Sequence, residues 1–150
     1  LQVPFPNRDT LVEISKRTSS FDEPVLSSVI SSGELTRLQK LLAHMPVADH
    51  ITAFAADLIL ATHPDQPGVT GKVKSYVSYG ASPRGLQALI RGARVYAALD
   101  GRTTVAKDDI KRVALPALRH RIILNFQGEA EAVSVDSLVQ ELLEKVTAVS

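Results

Sequence analysis

Apolar residues recur at three- and four-residue intervals in several blocks of this chain, the spacing that lines one face of an α-helix. Pro4 and Pro6 keep the opening extended, and Asn7 has the side chain to cap a helix running to about Arg17, with Leu11 and Ile14 facing inward. Thr18, Ser19 and Ser20 then read as loop. Ser31 and Glu34 stand at capping-box spacing, and Leu35, Leu38, Leu41, Leu42 and Met45 follow with helical period until Pro46 ends the run. From about Ala48 to Ala61, the residues Ile51, Phe54, Ala55, Leu58 and Ile59 make a second stripe. Its opposite side carries the small residues Ala53 and Ala56, so this helix is predicted to be central.

The period breaks at His63-Pro64-Asp65-Gln66-Pro67-Gly68, and the stretch to Tyr79 reads as a long loop with a short extended piece at Tyr76 to Tyr79. A long helix follows from Ser82 to about Ala98, with Leu86, Leu89, Ile90, Ala93 and Ala97 inward and Asp100-Gly101 closing it. A shorter helix from about Lys107 buries Ile110, Val113 and Ala114, and Pro116 is expected to end or kink it near Leu115. Ile122 to Phe126 and Ala130 to Val133, separated by Gln127-Gly128-Glu129, have the pattern of a small β-hairpin. Ser134 then caps a last helix to about Val146, with Val135, Leu138, Val139, Leu142, Leu143 and Val146 inward. The pattern as a whole predicts an all-α fold, a small helical bundle of about five or six helices with a short hairpin.

Composition sharpens this picture in a few places. At 150 residues and 45% hydrophobic content the chain can bury one core, and with 5% aromatics and no tryptophan that core is aliphatic. No cysteine is present, which excludes disulfides and thiolate metal sites and fits a reducing compartment. No apolar run is long enough to span a bilayer and no signal-type leader opens the chain, so a soluble, cytoplasmic domain is expected. The net charge of +1 hides an asymmetry: residues 1 to 66 carry 5 Lys and Arg against 8 Asp and Glu, residues 67 to 121 carry 11 against 3, and residues 122 to 150 carry 1 against 5. A middle segment of +8 between flanks of −3 and −4 favours an anionic partner, unless the acidic ends of the same fold pack beside it.

The densest candidate chemistry is Tyr79-Gly80-Ala81-Ser82-Pro83-Arg84-Gly85. Ser82 as cap and Pro83 in the first turn mark where a helix starts. Arg84 then presents a planar, permanently charged fork near that start, a group suited to an oxyanion. Further on come Leu99-Asp100-Gly101-Arg102 and Asp108-Asp109-Ile110-Lys111-Arg112-Val113-Ala114-Leu115-Pro116-Ala117-Leu118-Arg119-His120-Arg121. In this order and spacing, the blocks resemble the C-terminal lid of the MoxR branch of AAA+ ATPases, over about Val3 to Leu143.

The resemblance implies a helical lid, residues 7 to 150, that folds over ATP held by an N-terminal α/β core, with Arg84 in the role called sensor 2 and Ser82 beside it at the nucleotide. Residues 1 to 6 resemble the end of the core's last strand and the joint into the lid. It further implies a homo-oligomeric ring, a chaperone-like role in remodelling or maturing a client protein, and ATP with magnesium as the ligands of the full-length protein. The family's phosphate loop, Gly-x-x-x-x-Gly-Lys-Ser/Thr, does not occur here: Gly71-Lys72 is followed by Val73, with Gly68 three residues earlier. With no initiator methionine the chain reads as a piece of a longer protein, part of an ATPase yet inactive alone and binding no nucleotide firmly. The family often has Thr-Pro before its acidic pair, where this chain has Ala106-Lys107, so a helix cap is missing there.

Each basic residue also has an ordinary reading. Arg84 could be a solvated arginine, slightly disfavoured by the helix dipole. Arg91 lies on its face of the helix and Arg94 on the flank, placing both toward solvent or a neighbouring subunit. Arg119 and Arg121, with His120 between them, either meet a subunit or nucleotide or pair internally with carboxylates such as Asp108 or Asp109. The four histidines show no helical i, i+3 or i, i+4 pairing, so no metal site is expected. No Gly-x-Ser-x-Gly elbow supports a serine hydrolase. The alternative from another class is a helical nucleic-acid-binding or protein-interaction module using the basic segment 67 to 121; it lacks interleaved aromatics and a helix-turn-helix signature.

Overall fold

A computed structural model describes residues 3–19 and 26–149. The chain divides into two compact units, residues 1–37 and 38–150. The elements run α1 (Arg8–Thr18), α2 (Ser32–Ala43), α3 (Asp49–Ala61), α4 (Gly71–Tyr76), β1 (Val77–Tyr79), α5 (Pro83–Leu99), α6 (Lys107–Leu118), β2 (Ile123–Leu124), α7 (Phe126–Ala130) and α8 (Val135–Val149). Among the described residues the fold is all-α apart from one two-stranded antiparallel sheet.

In the first unit, Asn7 caps α1 by accepting the Thr10 N–H at 2.9 Å, and Glu13 holds Arg17 one turn on at 2.9 Å. Leu11 and Ile14, expected inward, are exposed, and α1 buries no residue. Val3 to Asn7 form neither helix nor strand; Leu1, Gln2 and Ser20 lie outside the described residues. At the start of α2 the capping box forms as read: Glu34 N–H donates to Ser31 Oγ at 3.2 Å, and Ser31 N–H to Glu34 Oε2 at 2.9 Å. Leu35 is nevertheless exposed; of the residues of this stripe that belong to the second unit, Leu38 and Leu41 are exposed, while Leu42 and Met45 are half-buried.

The second unit is built around α3, which packs against α5, α6 and α8. Its stripe of Ile51, Phe54, Ala55, Leu58 and Ile59 is buried, and Leu58 is 0% exposed. Leu89, Ala93 and Ala97 of α5, Ile110, Val113 and Ala114 of α6, and Leu138, Val139, Leu142 and Val146 of α8 complete an aliphatic core.

α5 and α6 form the tightest pair because α5 carries glycine where α6 presses on it. A Cβ at Gly85 would lie 3.5 Å from Leu118 Cδ2, and one at Gly92 would lie 2.6 Å from Val113 Cγ1. These two contacts make the helices antiparallel neighbours. The turn between them is a Schellman closure, with Arg102 N–H on Ala97 O at 2.8 Å, Gly101 N–H on Ala98 O at 3.0 Å, and Gly101 at φ +71°.

Three local expectations fail for tertiary reasons. Pro116 does not end α6: the helix continues to Leu118, because Ala117 and Leu118 are buried in the core and their packing offsets a cost of about 3 kcal/mol for an internal proline. The expected hairpin of 122 to 126 with 130 to 133 does not form; β2 pairs instead with β1, Val77 opposite Leu124 and Tyr79 opposite Ile123. Gln127-Gly128-Glu129 belongs to α7, capped by Asn125 Oδ1 on the Gly128 N–H at 2.9 Å, while Asn125 Nδ2 donates to Ser75 O at 2.7 Å. The long loop to Tyr79 contains the six-residue α4, capped by Thr70, before the extended piece appears as β1.

Candidate functional site

The start of α5 is seated by the residues just before it. Gly80 lies so close to the end of α3 that a Cβ would fall 2.6 Å from Thr62 Oγ1 and 2.7 Å from Thr62 O. Ala81, fully buried, has both backbone polar groups engaged: its N–H donates to Thr62 Oγ1 at 2.9 Å, and its carbonyl meets His63 Nε2 at 3.0 Å. Gly85 lets the first turn of α5 approach Ile59 and Ala81. Tyr79 to Gly85 is therefore a fitted joint, with small residues where backbone must come close.

On this joint Arg84 is the second residue of α5 and is exposed. Among the described residues it has no hydrogen bond or ion pair. Ser82 occupies the N-cap position in extended conformation, yet its hydroxyl makes no cap bond, unlike the side chains of Asn7, Thr70 and Asn125. The first turn of α5 thus combines an uncommitted guanidinium, an uncommitted hydroxyl and the positive end of a 17-residue helix. That arrangement can hold an anion.

The other basic residues divide by partner. Because Gly85 faces Leu118, the cluster following α6 lies at the same end of the helix pair as Arg84. Arg119 there is held by Asp136 of α8, through Nε at 2.7 Å and Nη2 at 2.5 Å, a bidentate fork. Its partner is neither Asp108, which pairs with Lys111 at 3.2 Å, nor Asp109, which takes Arg102. Arg121 donates to the Ala117 carbonyl and meets His120 Nε2. Arg91 is exposed, and Arg94 is half-buried, its Nε shielded from solvent without a hydrogen-bond partner among the described residues. These two line a cleft with Gln39, Leu42, Ala43 and Val95, well along α5 from Arg84.

The block around Asp100-Gly101-Arg102 proves architectural. Asp109, 1% exposed, accepts Arg102 Nη1 at 2.8 Å, Arg102 Nη2 at 2.6 Å and the Ala106 N–H at 2.8 Å. The Arg102 guanidinium foremost, and the Ala106 N–H, hold the Asp109 carboxyl below the usual carboxylate range, although burial works the other way. Asp100 bridges Arg102 and Arg112 at 2.9 and 2.8 Å, and Arg112 lies 4.2 Å from the centre of the Tyr96 ring. Ala106 cannot cap α6 with its side chain, and Asp109 supplies only the reciprocal half of a capping box by accepting the Ala106 N–H. Acidic side chains from the C-terminal block pair with Lys72, through Glu141 at 2.7 Å, and with Arg119, so part of the basic middle is neutralised within the fold.

Sequence reasoning did not find Thr62, His63 or Asp136. The only local signal was a polar pair directly after the apolar stripe of α3, which also reads as an ordinary helix end.

Residues 71–142 match the AAA lid domain family. The chaperone MoxR1 of Mycobacterium tuberculosis is 31% identical over 97% of this chain, and the protein MoxR of Paracoccus denitrificans is 48% identical over 46 residues, 31% of this chain. A crystal structure of a candidate ATPase from Cytophaga hutchinsonii superposes on 95% of the chain with a TM-score of 0.77 at 28% identity. Residues 71–142 are an AAA lid domain in a chain of the MoxR family. The chain spans 38% of the M. tuberculosis protein's length and 44% of the Cytophaga chain's, and the 46 matched residues span 14% of the Paracoccus protein's. Among its described residues no helix is long and apolar enough to cross a membrane, and no group of three or more His, Asp or Glu is placed to hold a metal ion.

Proposed function

We propose that this lid closes over ATP bound by the rest of a cytoplasmic MoxR-type ATPase, with Arg84 as sensor 2, and couples hydrolysis to remodelling of a client protein. The observation that carries the reading is the unpartnered Arg84 guanidinium at the start of α5, beside a cap serine that does not cap. An arginine there is disfavoured by the helix dipole, and a phosphate would remove that penalty by pairing with the guanidinium and the first-turn N–H groups together. In phosphoryl transfer, negative charge spreads over the terminal phosphate oxygens, and a fork already aimed at them stabilises that charge without reorganising. The chain contributes this one charge and Ser82; the phosphate-cradling loop and the magnesium ligands would come from the preceding α/β core, joined through residues 1 to 6. Arg91 and Arg94 are the residues we assign to a neighbouring subunit of a ring, since the cleft they line offers them no carboxylate, whereas Arg119 already has Asp136 and Arg121 already has Ala117 O.

In the full-length protein, Arg84→Ala is expected to reduce ATP turnover about ten- to a thousand-fold, the range for losing one charge-stabilising group. Arg84→Lys keeps the charge, loses the fork and should remain impaired. Arg91→Ala, about 10 Å further along the helix, should affect turnover less, and only through assembly of the ring. Parental turnover by a folded Arg84→Ala protein would remove the sensor assignment.

A further inference from the structure

We infer that Thr62 and His63 are positioning residues for Arg84, a clamp that sets where the guanidinium stands; this rests on the reading of Arg84 as the phosphate sensor. Thr62 is 0% exposed and follows the last residue of α3. Its hydroxyl donates to Ile59 O at 2.6 Å and accepts the Ala81 N–H at 2.9 Å, so the hydroxyl proton has one place to go and the lone pair faces α5. His63 Nε2 is 3.0 Å from the Ala81 carbonyl, which can only accept, so the ring carries its proton on Nε2. Two consecutive side chains therefore hold both polar groups of one backbone unit, three residues before Arg84.

Steric fit makes the clamp stiff. Gly80 leaves no room for a side chain against Thr62, and the Ala81 Cβ lies 3.2 Å from where a Gly85 Cβ would be. The segment cannot slide toward α3 without collision, nor away from it without leaving the buried Ala81 N–H unpaired. Since α5 begins at Pro83, a displacement of Ala81 carries Arg84 with it. The consequence is a rigid link from the central helix of the bundle to the charged side chain assigned to the phosphate, and a misplacement of about 1 Å at such a group costs up to about a hundred-fold in rate.

The test is a double-mutant cycle on kcat in the full-length ATPase. Thr62→Val keeps the shape and removes both hydrogen bonds. It should lower kcat about ten-fold when Arg84 is present and less than about two-fold in the Arg84→Ala background, while Thr62→Ser, which retains Oγ, stays within about two-fold of the parent. A merely structural role would reduce kcat by the same factor in both backgrounds. His63→Leu, at a half-buried site more tolerant of change, repeats the cycle should Thr62→Val fail to fold. Equal losses in both backgrounds, or parental kcat in folded Thr62→Val or His63→Leu, overturn the clamp. Parental kcat in Arg84→Ala alone overturns the sensor reading instead, so the two failures are told apart.

Discussion

Replacing Gly92 by alanine sets two effects of known size against each other. In the middle of a helix the change should stabilise by about 1 kcal/mol through backbone entropy. Here the new Cβ would stand 2.6 Å from Val113 Cγ1 and 2.9 Å from Cγ2, against an optimum of about 3.5–4.0 Å between carbons. Val113 cannot turn aside, because both methyls face the glycine and a β-branched side chain has one good rotamer in a helix. The helices must separate by about 1 Å, loosening Leu89 and Ala93 of α5 against Ile110 and Ala114 of α6. Overpacking of this kind costs about 1–3 kcal/mol. With two methyls inside contact distance the upper half of that range applies, about 2–3 kcal/mol, so packing wins and Gly92→Ala should lose about 1–2 kcal/mol net, a drop in Tm of about 3–6 °C. Urea unfolding followed by far-UV circular dichroism measures it. Val113→Ala makes room for the added methyl, so the double variant should be less destabilised than the sum of the singles by about 1 kcal/mol or more. Gly92→Ala as stable as the parent, or strict additivity with Val113→Ala, would refute this account of the α5–α6 contact.

Acid titration of stability should single out Asp109. Its carboxyl is held low by Arg102, so its contribution is complete above the unfolded value of about 3.9 and is lost as pH falls through the lower folded value. Asp109→Asn should therefore be less stable at neutral pH and lose less stability than the parent below about pH 5; an unchanged slope of Tm against pH contradicts the assignment. Leu58→Asp places a carboxylate without a partner at the centre of the α3 stripe and should abolish cooperative unfolding, while Leu58→Ala should cost about 2–5 kcal/mol. A folded, soluble Leu58→Asp domain would show that α3 is not the core.

What the chain declares by itself is what neighbours within four residues decide. The Ser31–Glu34 box, the stripes of α3, α5 and α8, the Asp100-Gly101 stop and the position of Arg84 on its helix all follow from period and cap chemistry, since one turn of helix brings those residues together. The outcomes that local reading missed depend on groups far apart in sequence. α4 is too short to show a period and forms where Thr70 caps it and Val73 is buried. β2 leaves its sequence neighbour for β1 because Asn125 ties that segment back to Ser75 and Tyr76. Pro116 stays helical because the core holds Ala117 and Leu118, and Leu11 and Ile14 are exposed although their spacing resembles that of buried stripes. At the candidate site the same division holds. The arginine and its helix start are legible, but the partner of Arg119 is 17 residues away and the hydroxyl that seats Ala81 is 19 away. Hydrophobic period tells each helix which face is apolar; only the assembled bundle determines which buried N–H finds which oxygen, because a hydrogen bond needs a specific atom within about 3 Å whereas an apolar stripe needs only another apolar surface.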